Sequence, residues 1–202
     1  MDDIKLKEKE ILKAARSRFA HYGFSKVTME EIAADVGMGK ASLYYYYPTK
    51  EDLFKSVIHK EQNVFIGEIE KLFCRKISAE NKLRNYVKKR FEYFQELINL
   101  SGLNVHTFPD IKFMFKELFE DFEYKELSLL RKIIDEGKSN GEFDGRLKPD
   151  TTKIFLHLLQ GLRLRIIKFI KDSRMEKENY DELREETGVF VEIFINGIRA
   201  QK

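Results

Sequence analysis

Residues Gly23–Phe54 read GFSKVTMEEIAADVGMGKASLYYYYPTKEDLF, and the four consecutive tyrosines within them, Tyr44 to Tyr47, decide how the chain begins. On a helix each step turns the side chain by about 100°, so four neighbouring rings sweep most of a circle. They cannot share one core, and at least one must face solvent or something that replaces it. The surrounding residues punctuate three helices. Ile11, Ala15, Phe19 and Tyr22 recur at helical spacing, and Gly23 stops that helix as a left-handed cap. Thr28-Met29-Glu30-Glu31 is a capping box that opens a short second helix, with Ile32 and Val36 inward. Gly37 breaks it, Gly39 or Lys40 opens a third, and Pro48 ends the third. This is the layout of a helix-turn-helix unit on a supporting helix.

With Leu43 placed inward against Ile32 and Val36, Tyr47 shares its face and belongs to the core. Tyr44 and Tyr45 then lie off that face, and Tyr46 lies near its edge. Their phenols fall within one turn of Lys40 and Ser42, with Lys50 just beyond. A phenol offers a hydroxyl to a phosphate oxygen and a ring to a deoxyribose or thymine methyl. A helix N-terminus adds backbone N–H donors for an anion. The surface expected to meet these tyrosines is the backbone and major groove of DNA.

The stretch closely resembles the DNA-binding head of the tetracycline-repressor (TetR) family. The shared elements are the Gly23-Phe24 pair, Thr28 before Ile32-Ala33, the turn at Gly37, Leu43-Tyr44-Tyr45, and Lys50-Glu51-Asp52-Leu53. The resemblance implies that Thr28 caps the second helix and touches a phosphate. It implies that Lys40, Ala41 and Tyr44 read bases or their methyls, that Tyr45 and Tyr46 lie along the backbone, and that Lys50 meets a phosphate. Two positions depart from the family pattern. Gly39 stands where Ser is frequent, and Tyr46 stands where His is frequent.

The rest of the chain reads as all-α. Its three prolines, Pro48, Pro109 and Pro149, sit at segment boundaries, and no strictly alternating run is flanked by turn residues. Thr49 to Asp52 cap a long fourth helix to about residue 74. Further helices are expected over roughly 79–100, 110–121, 123–138, 150–172 and 178–200, about nine in all, with Gly137, Gly141 and Gly145 marking a loop. The expected division is a helix-turn-helix domain at 1–48 and a helical ligand-binding and dimerisation domain at 49–202.

Eleven of the 17 phenylalanines fall between residues 51 and 150. Phe113 and Phe115 are about 200° apart on a helix, so the cluster cannot form one narrow stripe. Phe91, Phe94, Phe113, Met114, Phe115, Phe119 and Phe122 are candidates to line a cavity, or else to fill an ordinary aromatic core. The family resemblance implies a small-molecule effector in this region. The lining suits an apolar or aromatic one, with Arg84, Arg90 or His106 as polar anchor. Broad apolar faces on the last two helices require covering. Leu158, Leu162, Phe190, Phe194 and Ile198 are expected to pair with a second copy, with Gly161 and Gly188 permitting close approach. A homodimer would match an inverted-repeat operator in double-stranded DNA. A regulator governed by a protein partner, with no small-molecule effector, is the alternative.

Composition limits other readings. A net charge of +3 is too weak to argue for nucleic acid by itself, so the case rests on local arrangement. One cysteine, Cys74, excludes an intramolecular disulfide and is expected to be a buried bystander. GMGK is no phosphate-binding loop, because Ala34 stands where that motif needs Gly and Ala41 where it needs Ser or Thr. His21, His59, His106 and His157 lack metal-ligand spacing, and no nucleophile motif emerges, so no cofactor, metal or enzyme activity is expected. The charged start lacks a signal-peptide h-region and no apolar run reaches about 18 residues, so a cytoplasmic protein off the membrane is expected.

Overall fold

The structure, a computed structural model, describes residues 2–101, 116–169 and 177–201, with the helix path alone at 2, 98–101, 163–169 and 177–179. Among them run eight helices: α1 (Asp2–Tyr22), α2 (Met29–Asp35), α3 (Lys40–Tyr46), α4 (Lys50–Phe73), α5 (Ala79–Ser101), α6 (Lys116–Ser139), α7 (Thr151–Phe169) and α8 (Lys177–Ile198). The fold is all-α. No described helix is long and apolar enough to cross a membrane.

The local signals act as their chemistry requires. Gly23 adopts φ 79° directly after α1, and its N–H donates to Phe19 O at 2.9 Å. Thr28 and Thr49 each accept from the backbone N–H three residues on, at Glu31 and Asp52. The expected break near residue 122 is absent, because Lys116–Ser139 is one helix. Leu118, Phe122, Glu126, Leu129, Ile133 and Gly137 continue one buried stripe through it. The acidic run Glu120-Asp121 resembles a helix start but lies on exposed turns. Residues 110–115 lie outside the described residues.

Two cores result. The first gathers Ile11, Ala15, Phe19, Ile32, Leu43 and the opening turns of α4 to Ile58, and it reaches Leu97 of α5 and Leu118 of α6. The second packs α4 to α8 around Phe65, Tyr86, Ile133, Phe155 and Ile195. Arg16 on α1 spans both regions, donating to Glu61 of α4 at 2.7 Å and to Glu96 of α5 at 2.9 Å.

Three expectations change in the body. Gly137 lies inside α6, not in a loop, and a Cβ there would come within 2.1 Å of the Phe143 ring that packs over it. Cys74 caps α4 and is exposed, because the chain turns outward at the helix end. Ile198 is buried in its own protomer's core, since the loop at Phe143 pairs with Arg199 and draws the chain end inward. Asp144 N donates to Ile198 O at 2.8 Å in that pairing.

Candidate nucleic-acid interface

α2 and α3 are held on α1 by charge as well as by packing. Arg18 forms a bidentate pair with Asp35 at 2.5 and 2.7 Å and lies 3.4 Å from Glu31, tying α1 to both ends of α2. The guanidinium holds the Asp35 carboxyl below its usual range. Glu31 completes the capping box by accepting from the Thr28 N–H and hydroxyl, each at 2.9 Å, and those bonds lower its pKa. Lys7 donates to Val36 O at 2.9 Å, satisfying a carbonyl at the end of α2. Gly37, at φ 62°, supplies the left-handed step between α2 and α3.

The tetrad divides along its length. Leu43 is fully buried and sets the phase of α3. Tyr45 is 84% exposed and Tyr44 is 37% exposed, as that phase requires. Ala41 and Ser42 are exposed on the preceding turn. Tyr46, expected at the edge, packs partly on the head core and meets the Tyr45 ring edge-on at 5.7 Å. Tyr47 is half-buried where full burial was expected. The reason is backbone: α3 ends at Tyr46, and Tyr47 is extended at φ −136°, so the helical phase no longer places it. Partial burial still pushes its phenol pKa up.

The cations carry a second finding. Lys40 pairs with Glu30 of α2 and lies 5.7 Å from the centre of the Tyr44 ring. That pairing raises the Lys40 pKa and lowers that of Glu30. Lys50, expected at a phosphate, donates to Phe24 O at 3.0 Å and Val27 O at 3.1 Å and sits 4.5 Å above the Phe24 ring. It fastens the loop between α1 and α2 from within. Sequence reasoning missed this role because those carbonyls lie more than twenty positions away. The only local signal was a lysine beside a capped helix start.

In the body, the described candidate lining residues border three adjoining spaces. Phe91 borders a groove of about 560 Å³ between α5 and α8. Phe91 and Phe94 border a small cavity of about 30 Å³, and Phe94, Phe119 and Phe122 border another of about 50 Å³. Each cavity has room for about one or two waters. Arg90, buried, donates to Glu126 at 2.8 Å, and the Tyr86 hydroxyl donates to the same carboxylate at 2.7 Å. Its guanidinium is therefore compensated inside the core, and Arg84, on the groove rim, is itself paired with Glu80 and Glu192. Phe113, Met114, Phe115 and His106 lie outside the described residues.

An exposed recognition-type helix held on two others defines the head of a helix-turn-helix transcriptional regulator. The signature described as "Bacterial regulatory proteins, tetR family" matches residues 11–57, nearly the span of the head core from Ile11 to Ile58. A solved transcriptional regulator from Cytophaga hutchinsonii is 40% identical, with a TM-score of 0.88 over 99% of this chain and all of that one. The transcriptional regulator QacR of Staphylococcus aureus is 26% identical over 96% of this chain and 98% of its own length. RutR of Escherichia coli K12 is 28% identical over 50% of this chain, and the match spans about half of RutR, 47%. The chain belongs to the tetR family of bacterial regulatory proteins.

Proposed function

We propose that the protein is a dimeric, ligand-responsive repressor that binds an inverted-repeat operator through α3 of each protomer. The observation that carries this reading is the exposed face of α3. A seven-residue helix, fixed by Leu43 and the α2 clamps, presents Tyr45 at 84% exposure beside Tyr44, Ser42, Ala41 and Lys40. An exposed ring of that size on a rigid element suits deoxyribose and base methyls, and its hydroxyl suits phosphate. Thr28 and Tyr46 flank the same face, and Lys50 buttresses it. Half-sites one helical turn apart, roughly 34–36 Å, would admit both copies of α3 to successive major grooves.

Residues 1–48 act as the DNA-binding unit and 49–202 as the sensing and dimerisation unit, in the cytoplasm where the DNA lies. α4 belongs to both cores, and Arg16 ties α1 to α4 and α5. A small apolar or aromatic effector that shifts α5 against α4 would therefore change the spacing of the heads and lower operator affinity. A mobility-shift titration against DNA flanking the gene tests the reading. A sequence-preferring complex that weakens for Tyr45→Ala is expected, and equal affinity for any DNA would remove it.

A second reading rests on the small size of these two cavities. Spaces of about 50 and 30 Å³ do not receive an aromatic ring without rearrangement. They suit a DNA-binding regulator governed by a protein partner. Such a regulator would show operator binding that no small molecule alters.

A further inference from the structure

We infer that the groove between α5 and α8 is a binding site for an amphipathic anion, a carboxylate carried on a flat apolar body. At about 560 Å³ it has the size of a small-ligand cleft. Val87, Phe91 and Val191 provide its apolar surface, and Gly188 contributes no side chain. A Cβ on Gly188 would meet nothing within 4 Å, so the groove stays open above α8.

Charge selects the class of ligand. Four charged side chains other than Lys88 border the groove, and each already has a partner. Glu192 is taken by Arg84, which also holds Glu80 at 2.8 Å, and Glu92 is taken by Lys89 at 3.0 Å. Among the described residues Arg184 pairs with Asp181 alone, at 3.6 Å, and its guanidinium stands 5.4 Å from the centre of the Phe91 ring. Lys88 makes no ion pair among the described residues. The uncompensated charge facing the groove is thus positive. An anionic head can reach Lys88, and a planar body can stack where Phe91 and Arg184 already present flat faces.

The groove also communicates inward. It shares Val87, Phe91 and Thr187 with the 30 Å³ cavity, which in turn shares Arg90 and Phe94 with the 50 Å³ cavity. A ligand bearing on Phe91 would press on this row and so on α5, whose Leu97 enters the head core. Its service as an effector site rests on the regulator reading above; its binding does not.

The test is calorimetric titration of the full chain with 2-naphthoate, 2-naphthamide and 2-naphthylmethylammonium, which share a ring system and differ in charge. Naphthoate should bind at least tenfold more tightly than the amide, and the ammonium more weakly still. Lys88→Glu should abolish the preference for naphthoate over the amide. Gly188→Leu fills the groove where the helix has room for a side chain, and should remove binding of naphthoate and the amide while leaving the helical circular dichroism unchanged. Tyr45→Ala, far from the groove, should bind naphthoate like the parent protein even where it loses DNA, so groove and operator are read separately. Equal affinity for charged and neutral probes, no binding of any probe, or parental naphthoate affinity in Gly188→Leu would overturn the assignment.

Discussion

Tyr45 and Lys50 lie five positions apart and face opposite demands. The Tyr45 ring is almost wholly in solvent, so the protomer gains little from it. The Lys50 ammonium satisfies two carbonyls of the loop between α1 and α2 and covers the Phe24 ring. Tyr45→Ala should shift the unfolding free energy by less than about 0.5 kcal/mol and weaken operator binding by about tenfold, ~1.4 kcal/mol. Lys50→Ala should lose about 1–3 kcal/mol of stability, because two charge-assisted hydrogen bonds disappear. The salt slope of DNA binding should then stay nearly unchanged, where loss of a phosphate contact would reduce it by about one. Urea denaturation and salt-dependent mobility shifts measure the two effects. A stable Lys50→Ala protein with a reduced slope would return Lys50 to the phosphate. The exposure of Tyr44 and Tyr45 was legible in sequence because one buried residue, Leu43, fixes helical phase. Tyr47 was not, since phase has no meaning one residue past the helix end. Lys50 was not, because its acceptors are brought near only by the fold.

Glycine shows how far an element can be read from its letters. Gly67 in α4 and Gly137 in α6 both sit inside helices, and both cost roughly 1 kcal/mol relative to Ala on intrinsic preference. Their surroundings are opposite. A Cβ at Gly67 meets nothing within 4 Å, whereas at Gly137 it would lie 2.1 Å from the Phe143 ring. Phe143 is itself buried and anchors the loop that pairs with the chain end at Arg199. Gly67→Ala should therefore stabilise the protein by up to about 1 kcal/mol, while Gly137→Ala should destabilise it by about 1–3 kcal/mol through overpacking. Opposite shifts of the urea midpoint are the expected result; stabilisation by both would mean that the Phe143 ring moves aside freely. The capped starts at Thr28 and Thr49 were legible because capping is a local bond between neighbours. The unbroken path of α6 past residue 122 was not, because acidic residues at a helix start and on an exposed turn look alike in sequence.

For the whole molecule, the question is what covers the last two helices. Ile154 and Leu158 of α7, four residues apart, are 55% and 49% exposed; Val189 and Ile193 of α8, equally spaced, are 61% and 67% exposed. Two such stripes on helices that pack against each other leave exposed apolar surface, which a second copy would bury in a twofold interface. The need for cover was legible in sequence, but its membership was not, because apolar residues facing inward and outward carry the same letters. Phe190 and Phe194 pack on Phe155, with ring centres 5.6 and 4.3 Å away, and Ile198 lies in the protomer's own core. Leu158 stays exposed and Leu162 half-exposed, while Ile154, Val189 and Ile193 take the outward positions. Ile193→Glu places a charge in the middle of that face without touching either core. Sedimentation should show a monomer with parental helicity. Because the second head of a dimer binds at high effective concentration, affinity for the full inverted repeat should fall by about 10²–10⁴, whereas affinity for one isolated half-site should hold. A variant that remains dimeric, or that loses the half-site equally, would place the contact between copies on a different surface.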